Sequence, residues 1–294
     1  MEFSRRIVDV KTSATLKAKL KALELQAQGV RVINLSAGEP SFDTPEKIKQ
    51  ACQKALDENF TRYGPVNGIL KLREAIQQKL KRISGVEVSP EAIVVACGAK
   101  QAIFSALFIL LNEGDEVLLP VPYWVTYPAQ IKLAGGRPVF MPTDESTGFK
   151  ITPKHLKKAV TDKTRMLILN SPANPTGSCY TGEELTALGK ICSDKNIWVL
   201  SDEIYDEITF DGFQHVSFLK ACPFHQERTI LINGASKAYA MTGWRMGYAA
   251  GPLEFVEKLK ILQGQEITSI PTFIQHACVT AFNDCDEEVK KMRA

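Results

Sequence analysis

Ile197-Trp198-Val199-Leu200-Ser201-Asp202-Glu203-Ile204-Tyr205 is an apolar run that breaks abruptly into charge. A run this short and this apolar suits a strand buried on both faces, so its end carries a carboxylate to the rim of a sheet. Working outward, similar runs recur at Ile93–Cys97, Glu116–Leu119, Pro138–Met141, Met166–Leu169, Thr229–Ile232 and Met246–Ala250. Helical periodicity fills most of the intervals, over Pro45–Glu58, Ile69–Lys81, Lys100–Leu111, Tyr127–Ala134, Pro153–Val160, Thr181–Lys195, Leu253–Leu262 and Phe273–Phe282. This alternation predicts an α/β fold, a mostly parallel sheet sandwiched by helices. Open sheets of that kind bind ligands beyond the carboxyl ends of their strands. The chemically rich segments all lie there: Gly98-Ala99-Lys100 after Cys97, Asn170–Asn174 after Leu169, Asp202 after Leu200, Lys237 after Ile232. Four segments remote in sequence are therefore expected to meet in one crevice.

Composition bounds the rest. The 294 residues, 45% hydrophobic and 23% charged, are ordinary for a globular chain of one large domain or two. A net charge of +3 without a Lys/Arg run gives no footing for a nucleic-acid or membrane surface. The first residues, through Lys11, lack the apolar core of a signal peptide, and no run is long enough to span a bilayer. A cytoplasmic location is expected. Cys52, Cys97, Cys179, Cys192, Cys222, Cys278 and Cys285 are scattered, and reduced thiols explain them better than disulfides or a metal site. The four histidines show no ligand spacing, and there is no internal repeat or low-complexity tract.

Taken singly, each motif has an ordinary reading. Gly98-Ala99-Lys100-Gln101 is a plain βα turn, or a helix start whose free N–H groups favour a phosphate. Trp124, in Pro122-Tyr123-Trp124, is a core or surface aromatic, or a plate that stacks on a flat heteroaromatic ring. Asn170-Ser-Pro-Ala-Asn174-Pro175-Thr-Gly177 is a turn, or a turn that fixes an asparagine toward an anionic oxygen. Asp202 caps the turn that follows, or pairs with a buried cation. In Asn233-Gly-Ala-Ser236-Lys237-Ala-Tyr-Ala-Met-Thr-Gly243-Trp-Arg245-Met-Gly247, the small residues argue for a tight backbone around Lys237 and Arg245. The conjunction is specific where its members are not. An amine able to form a Schiff base, a carboxylate able to hold a pyridinium proton, a phenol and a phosphate-binding guanidinium are what pyridoxal 5′-phosphate chemistry requires.

The chain resembles the class I aminotransferases of the pyridoxal-phosphate fold type I, most closely the aspartate aminotransferases of bacterial type, some of which also accept prephenate. The resemblance rests on Ser36-Ala-Gly38-Glu-Pro40-Ser-Phe-Asp-Thr-Pro45, Arg62-Tyr63-Gly-Pro65, Gly98–Gln101, Pro122–Trp124, Asn170–Gly177, Ser201–Tyr205 and Ser236–Gly247, in family order. It implies that Lys237 bonds the cofactor and moves the substrate α-proton. Asp202 would keep the ring nitrogen protonated, Tyr205 and Asn174 would bond the ring's 3′ oxygen, and Trp124 would stack on the ring. Arg245, with Ala99 and Lys100, would bind the phosphate, joined by Tyr63 of a second copy, which implies a homodimer with shared sites. Gly38, Trp124, Asn174 and, in the prephenate-accepting branch, Lys11 would meet the substrate. The implied reaction is ping-pong transfer of an amino group from an amino acid, aspartate foremost, to a 2-oxo acid such as 2-oxoglutarate.

Two departures accompany the resemblance. Many relatives carry a phosphate-binding serine where this chain has Gly234. Family members are also longer, two-domain chains. Residues 1–36 are expected to be part of a small domain, and 37–294 the large cofactor-binding domain. The rest of the small domain, with the arginine that grips the substrate α-carboxylate, is expected to lie beyond the chain, which as given should bind amino acids poorly. The alternatives left open are an aminotransferase of other specificity (prephenate, alanine, aromatic or kynurenine), a lyase using the same lysine, and a silent remnant of the fold.

Overall fold

The computed structural model of the chain describes residues 3–8, 10, 14–34 and 38–294. Its elements run α1 (Arg5–Val8), α2 (Ala14–Ala27), α3 (Glu46–Asp57), α4 (Leu70–Ser84), β1 (Ile93–Ala96), α5 (Gly98–Leu110), β2 (Glu116–Val121), α6 (Tyr127–Leu133), β3 (Arg137–Pro142) and α7 (Pro153–Ala159). They continue with β4 (Thr164–Asn170), α8 (Gly182–Asp194), β5 (Trp198–Asp202), α9 (Phe218–Ala221), β6 (Thr229–Gly234), β7 (Gly247–Ala250), α10 (Leu253–Glu266), α11 (Thr272–Asp284) and α12 (Asp286–Arg293). The strands form one seven-stranded sheet in the order β1-β7-β6-β5-β4-β2-β3. Only β7 runs against its neighbours, so the sheet is mostly parallel, as the strand–helix alternation predicts.

Side-chain alternation along the strands sorts the core onto two faces. Val117, Leu119, Met166, Ile168 and Leu200 pack with Ile103, Leu107, Tyr127 and Ile131 of α5 and α6 and with Phe255, Val256 and Leu259 of α10. Leu118, Leu167, Leu169 and Val199 point the other way, onto Leu156, Leu185, Leu188 and Phe218 of α7, α8 and α9. On that same side Val95, Leu231 and Tyr248 meet Ile48, Leu72, Ile76 and Phe282 of α3, α4 and α11.

Helix ends follow local chemistry. Thr181 and Glu184 form a capping box at the start of α8, as do Thr152 and His155 at α7. The helix expected over Ile69–Lys81 continues to Ser84, where Gly85 takes the left-handed conformation that closes it. The helices expected from the sequence include neither α2 nor α12.

At the carboxyl edge, Ala96 of β1 and Gly234 of β6 both pair with Gly247, at the first residue of β7. A Cβ on Gly247 would run into the backbone of Gly98 and Ala99, so the sheet approaches the start of α5 with no room for a side chain. Gly247→Ala is expected to destabilise the chain by about 1–3 kcal/mol through overpacking. Thermal unfolding checks this, and an unchanged midpoint would contradict it.

Candidate active site

The carboxyl edge of the sheet opens on a cavity of about 890 Å³ whose lining includes Ala99, Lys100, Trp124, Asn174, Asp202, Tyr205, Lys237 and Arg245. The four segments expected to converge do so. A larger cleft, about 1160 Å³, opens at the opposite edge between Arg165, Trp198, Arg228 and Lys258. It gathers no amine, carboxylate and phenol together, so chemistry rather than size selects the site.

Asp202 ends β5 and is 3% exposed. Its Oδ2 accepts from the Tyr127 hydroxyl at 2.6 Å and its Oδ1 from the Ile204 amide at 3.2 Å. The carboxylate therefore does cap the following turn, while also lining the cavity. Burial raises its pKa from 3.8 to about 6, against the lowering effect of the Tyr127 and Ile204 hydrogen bonds. Tyr127, which lines the cavity and holds Asp202, is a residue that the sequence pattern leaves within a helix. Its only signal is the spacing from Trp124, whose ring meets it edge-on at 5.2 Å.

The neighbouring loops are tied to this strand end. Asn170, paired with Asp202 in the sheet, donates to the Asp202 carbonyl at 2.9 Å and accepts from the Asn174 amide at 2.7 Å. Asn174 Nδ2 in turn donates to the Tyr205 hydroxyl at 3.2 Å. Burial raises the Tyr205 pKa, opposed by that hydrogen bond.

Lys237 Nζ donates to the Gly38 carbonyl at 2.5 Å and lies 5.7 Å from the Tyr205 ring centroid. Burial lowers its pKa, helped by the Arg245 guanidinium and opposed by Glu39 and Asp202. An amine so held loses its proton more readily than a surface lysine.

The opposite end of the cavity is cationic. Helix α5 starts at Gly98 without a side-chain cap, leaving the first backbone N–H groups and the helix dipole directed at the site. Gly98 has a φ of +78°, and a Cβ there would strike the Arg245 guanidinium. Arg245, itself left-handed at φ 56°, donates to the Thr242 carbonyl at 2.8 Å. Lys100 Nζ lies 5.0 Å from the Trp124 ring centroid, its pKa lowered by burial and by Arg245.

Gly234 leaves no space for the serine that the family resemblance would place there, since a Cβ would meet the Met246 carbonyl oxygen at 2.7 Å and Gly247 Cα at 2.8 Å. Tyr63 is 91% exposed and does not line the cavity. Lys11 lies outside the described residues.

The residue set fits pyridoxal 5′-phosphate. A buried carboxylate that suits a cation, an uncapped helix start with a guanidinium that suits an anion, and an amine of lowered pKa share one cavity. The family described as aminotransferase class I and II matches residues 30–294. An aspartate aminotransferase of Geobacillus stearothermophilus is 44% identical over 293 residues, covering 100% of this chain and 75% of that protein. An aspartate/prephenate aminotransferase of Thermus thermophilus is 43% identical over 96% of this chain and 72% of its own length. The solved aspartate aminotransferase of Thermus thermophilus with maleate superposes with a TM-score of 0.96 at 41% identity, covering all of this chain and 76% of that one.

Asp202 makes stability depend on pH. Its folded carboxyl ionises near 6 rather than 3.8, so over that window the folded chain holds a proton the unfolded chain gives up. Its stabilising contribution is complete below about pH 4 and lost as pH rises through about 6. Relative to Asp202→Asn, the cofactor-free chain is expected to lose up to about 3 kcal/mol across that window. Urea unfolding of both against pH is the measurement, and parallel curves would refute it.

Proposed function

The chain belongs to the class I and II aminotransferases, and from that premise we propose that it moves the amino group of an L-amino acid, aspartate foremost, to a 2-oxo acid on pyridoxal 5′-phosphate. The observation that carries the cofactor is the buried Asp202 carboxylate facing the same cavity as the Lys237 amine. The bound cofactor would supply an electron sink for the negative charge left when the substrate α-proton departs.

Lys237 Nζ would hold the cofactor covalently and, once displaced by substrate, take the α-proton. Its lowered pKa makes it readier than a surface lysine to give up a proton and so to act as a base. Asp202 would hold the ring nitrogen's proton. Tyr127 keeps the carboxylate aimed, and its hydrogen bond favours the ionised form. A fixed pair of this kind stabilises developing charge without reorganisation. Asn174 and Tyr205 would bond the ring oxygen, Trp124 would cover the ring, and Arg245 with the Ala99 and Lys100 amides would take the phosphate. With position 234 closed to side chains, that grip falls to the guanidinium and the helix start.

Aspartate as donor is supported by the names of the relatives and by the maleate, a four-carbon dicarboxylate, in the Thermus structure, and 2-oxoglutarate is the acceptor this reading pairs with it. The backbone of Gly38 and the Trp124 and Asn174 side chains are the substrate contacts this part of the fold offers. Lys11 would serve a second carboxylate in a prephenate-type acceptor. Tyr63, exposed and outside the cavity, suits a residue that completes the site of a second copy, and we read the protein as a homodimer. Residues 37–294 form the cofactor-binding domain in this reading, and 1–36 belong with a smaller one.

Borohydride treatment of the cofactor-loaded chain is expected to fix the label on the peptide containing residue 237. Lys237→Ala should lose the visible absorption band and turnover by more than about a thousandfold. A label elsewhere would overturn the assignment. Bleaching of the band by a panel of amino acids, with 2-oxoglutarate and prephenate as acceptors, ranks the substrates.

A further inference from the structure

Behind the cavity lies a buried ionic cluster that the proposed reaction does not use. Lys79 of α4 is fully buried, its Nζ 2.7 Å from Asp206 Oδ2 and 3.2 Å from Glu207 Oε1, both carboxylates buried as well. Asn233 Nδ2 donates to the same Asp206 oxygen at 2.8 Å, and the Tyr239 hydroxyl donates to Glu207 at 3.1 Å. Asp206 and Glu207 directly follow Tyr205, and Asn233 and Tyr239 bracket Lys237. One ammonium therefore sits where the loop after β5 meets the turn after β6.

A signal for it exists in the sequence. Leu72, Ala75, Ile76 and Leu80 make the apolar stripe of α4, and Lys79 falls inside that stripe. Burial works against its charge, yet Asp206, then Tyr248 and Glu207, hold its pKa well above the usual range. Replacing such a cluster by apolar side chains is often neutral or stabilising, so stability alone is a weak explanation for it.

We infer that Lys79 is a positioning residue: its ammonium locks the loop bearing Asp202 and Tyr205 to the turn bearing Lys237. This rests on reading Lys237 as the reacting amine. The lock acts through backbone geometry. The Asp206 amide bonds the Glu203 carbonyl and the Ile208 amide bonds the Tyr205 carbonyl, so a turn pinned at Asp206 fixes Tyr205. On the other side the Tyr239 amide bonds the Ala235 carbonyl and the Ala240 amide the Lys237 carbonyl, so a pinned Tyr239 fixes Lys237.

Three variants separate position from stability. Lys79→Met leaves two buried carboxylates facing each other. Lys79→Met with Asp206→Asn keeps the cluster's net charge, and Lys79→Arg keeps the cation. The readout, in the cofactor-free full chain, is the pH at which Lys237 Nζ is half-acylated by an amine-selective reagent, followed by mass spectrometry beside thermal unfolding. The groups facing that amine are Glu39, Arg245, Asp202 and the Tyr205 ring, and these variants alter none of them.

In the charge-conserving double variant the midpoint is expected to rise by about half a pH unit or more as the amine loses its shelter. Turnover per bound cofactor should fall on the order of tenfold. Lys79→Arg is expected to restore most of both. A folded double variant with the wild-type midpoint and turnover overturns the inference, and it decides the matter if Lys79→Met does not fold. Because the acylation needs no cofactor, failure of the borohydride experiment and failure here are read apart.

Discussion

Asp202 sets a carboxyl at the end of a parallel strand, 3% exposed, with a tyrosine hydroxyl at 2.6 Å and no cationic side chain within ion-pair distance among the described residues. Ionising a carboxyl there is unfavourable until a cation arrives, which is why its pKa stands near 6. The surrounding architecture serves to keep that unfavourable group in place. Strand β5 is central and paired on both sides, Asn170 clasps its last carbonyl, and α6 brings Tyr127 across from the adjacent layer.

A second constraint is steric. Three backbones, at Gly98, Gly234 and Gly247, come together where the sheet meets the start of α5. The closeness places the helix dipole and Arg245 at one end of the cavity and removes any side chain from position 234. Anion binding by amides and a guanidinium, rather than by an extra hydroxyl, follows from that packing.

Most of this was legible because buried strands announce themselves as apolar runs. All seven expected strands form, and the residues named at their carboxyl ends meet. Helix limits were less legible, because Gly85 and the start of α5 depend on backbone conformation rather than periodicity. Tyr127 was invisible for a different reason. A tyrosine in a helix is an ordinary core residue until the fold sets a carboxylate opposite its hydroxyl. Lys79 passes unnoticed in the sequence, although it is a charge inside an apolar stripe; its partners lie 127 residues or more away, and no local pattern names them.

The end of strand β5 and the residue after it send adjacent carboxylates to opposite sides of the sheet. Asp202 faces the cavity, while Glu203 turns away to accept from Ser201, Ser217 and the Phe218 amide and to pair with His215 at 3.0 Å. A slip of one residue in strand pairing would exchange them, sending a carboxylate into the His215 pocket that lacks its reach and leaving the cavity with one that points wrongly. Only the native register turns the shorter acid to the crevice and the longer one to His215.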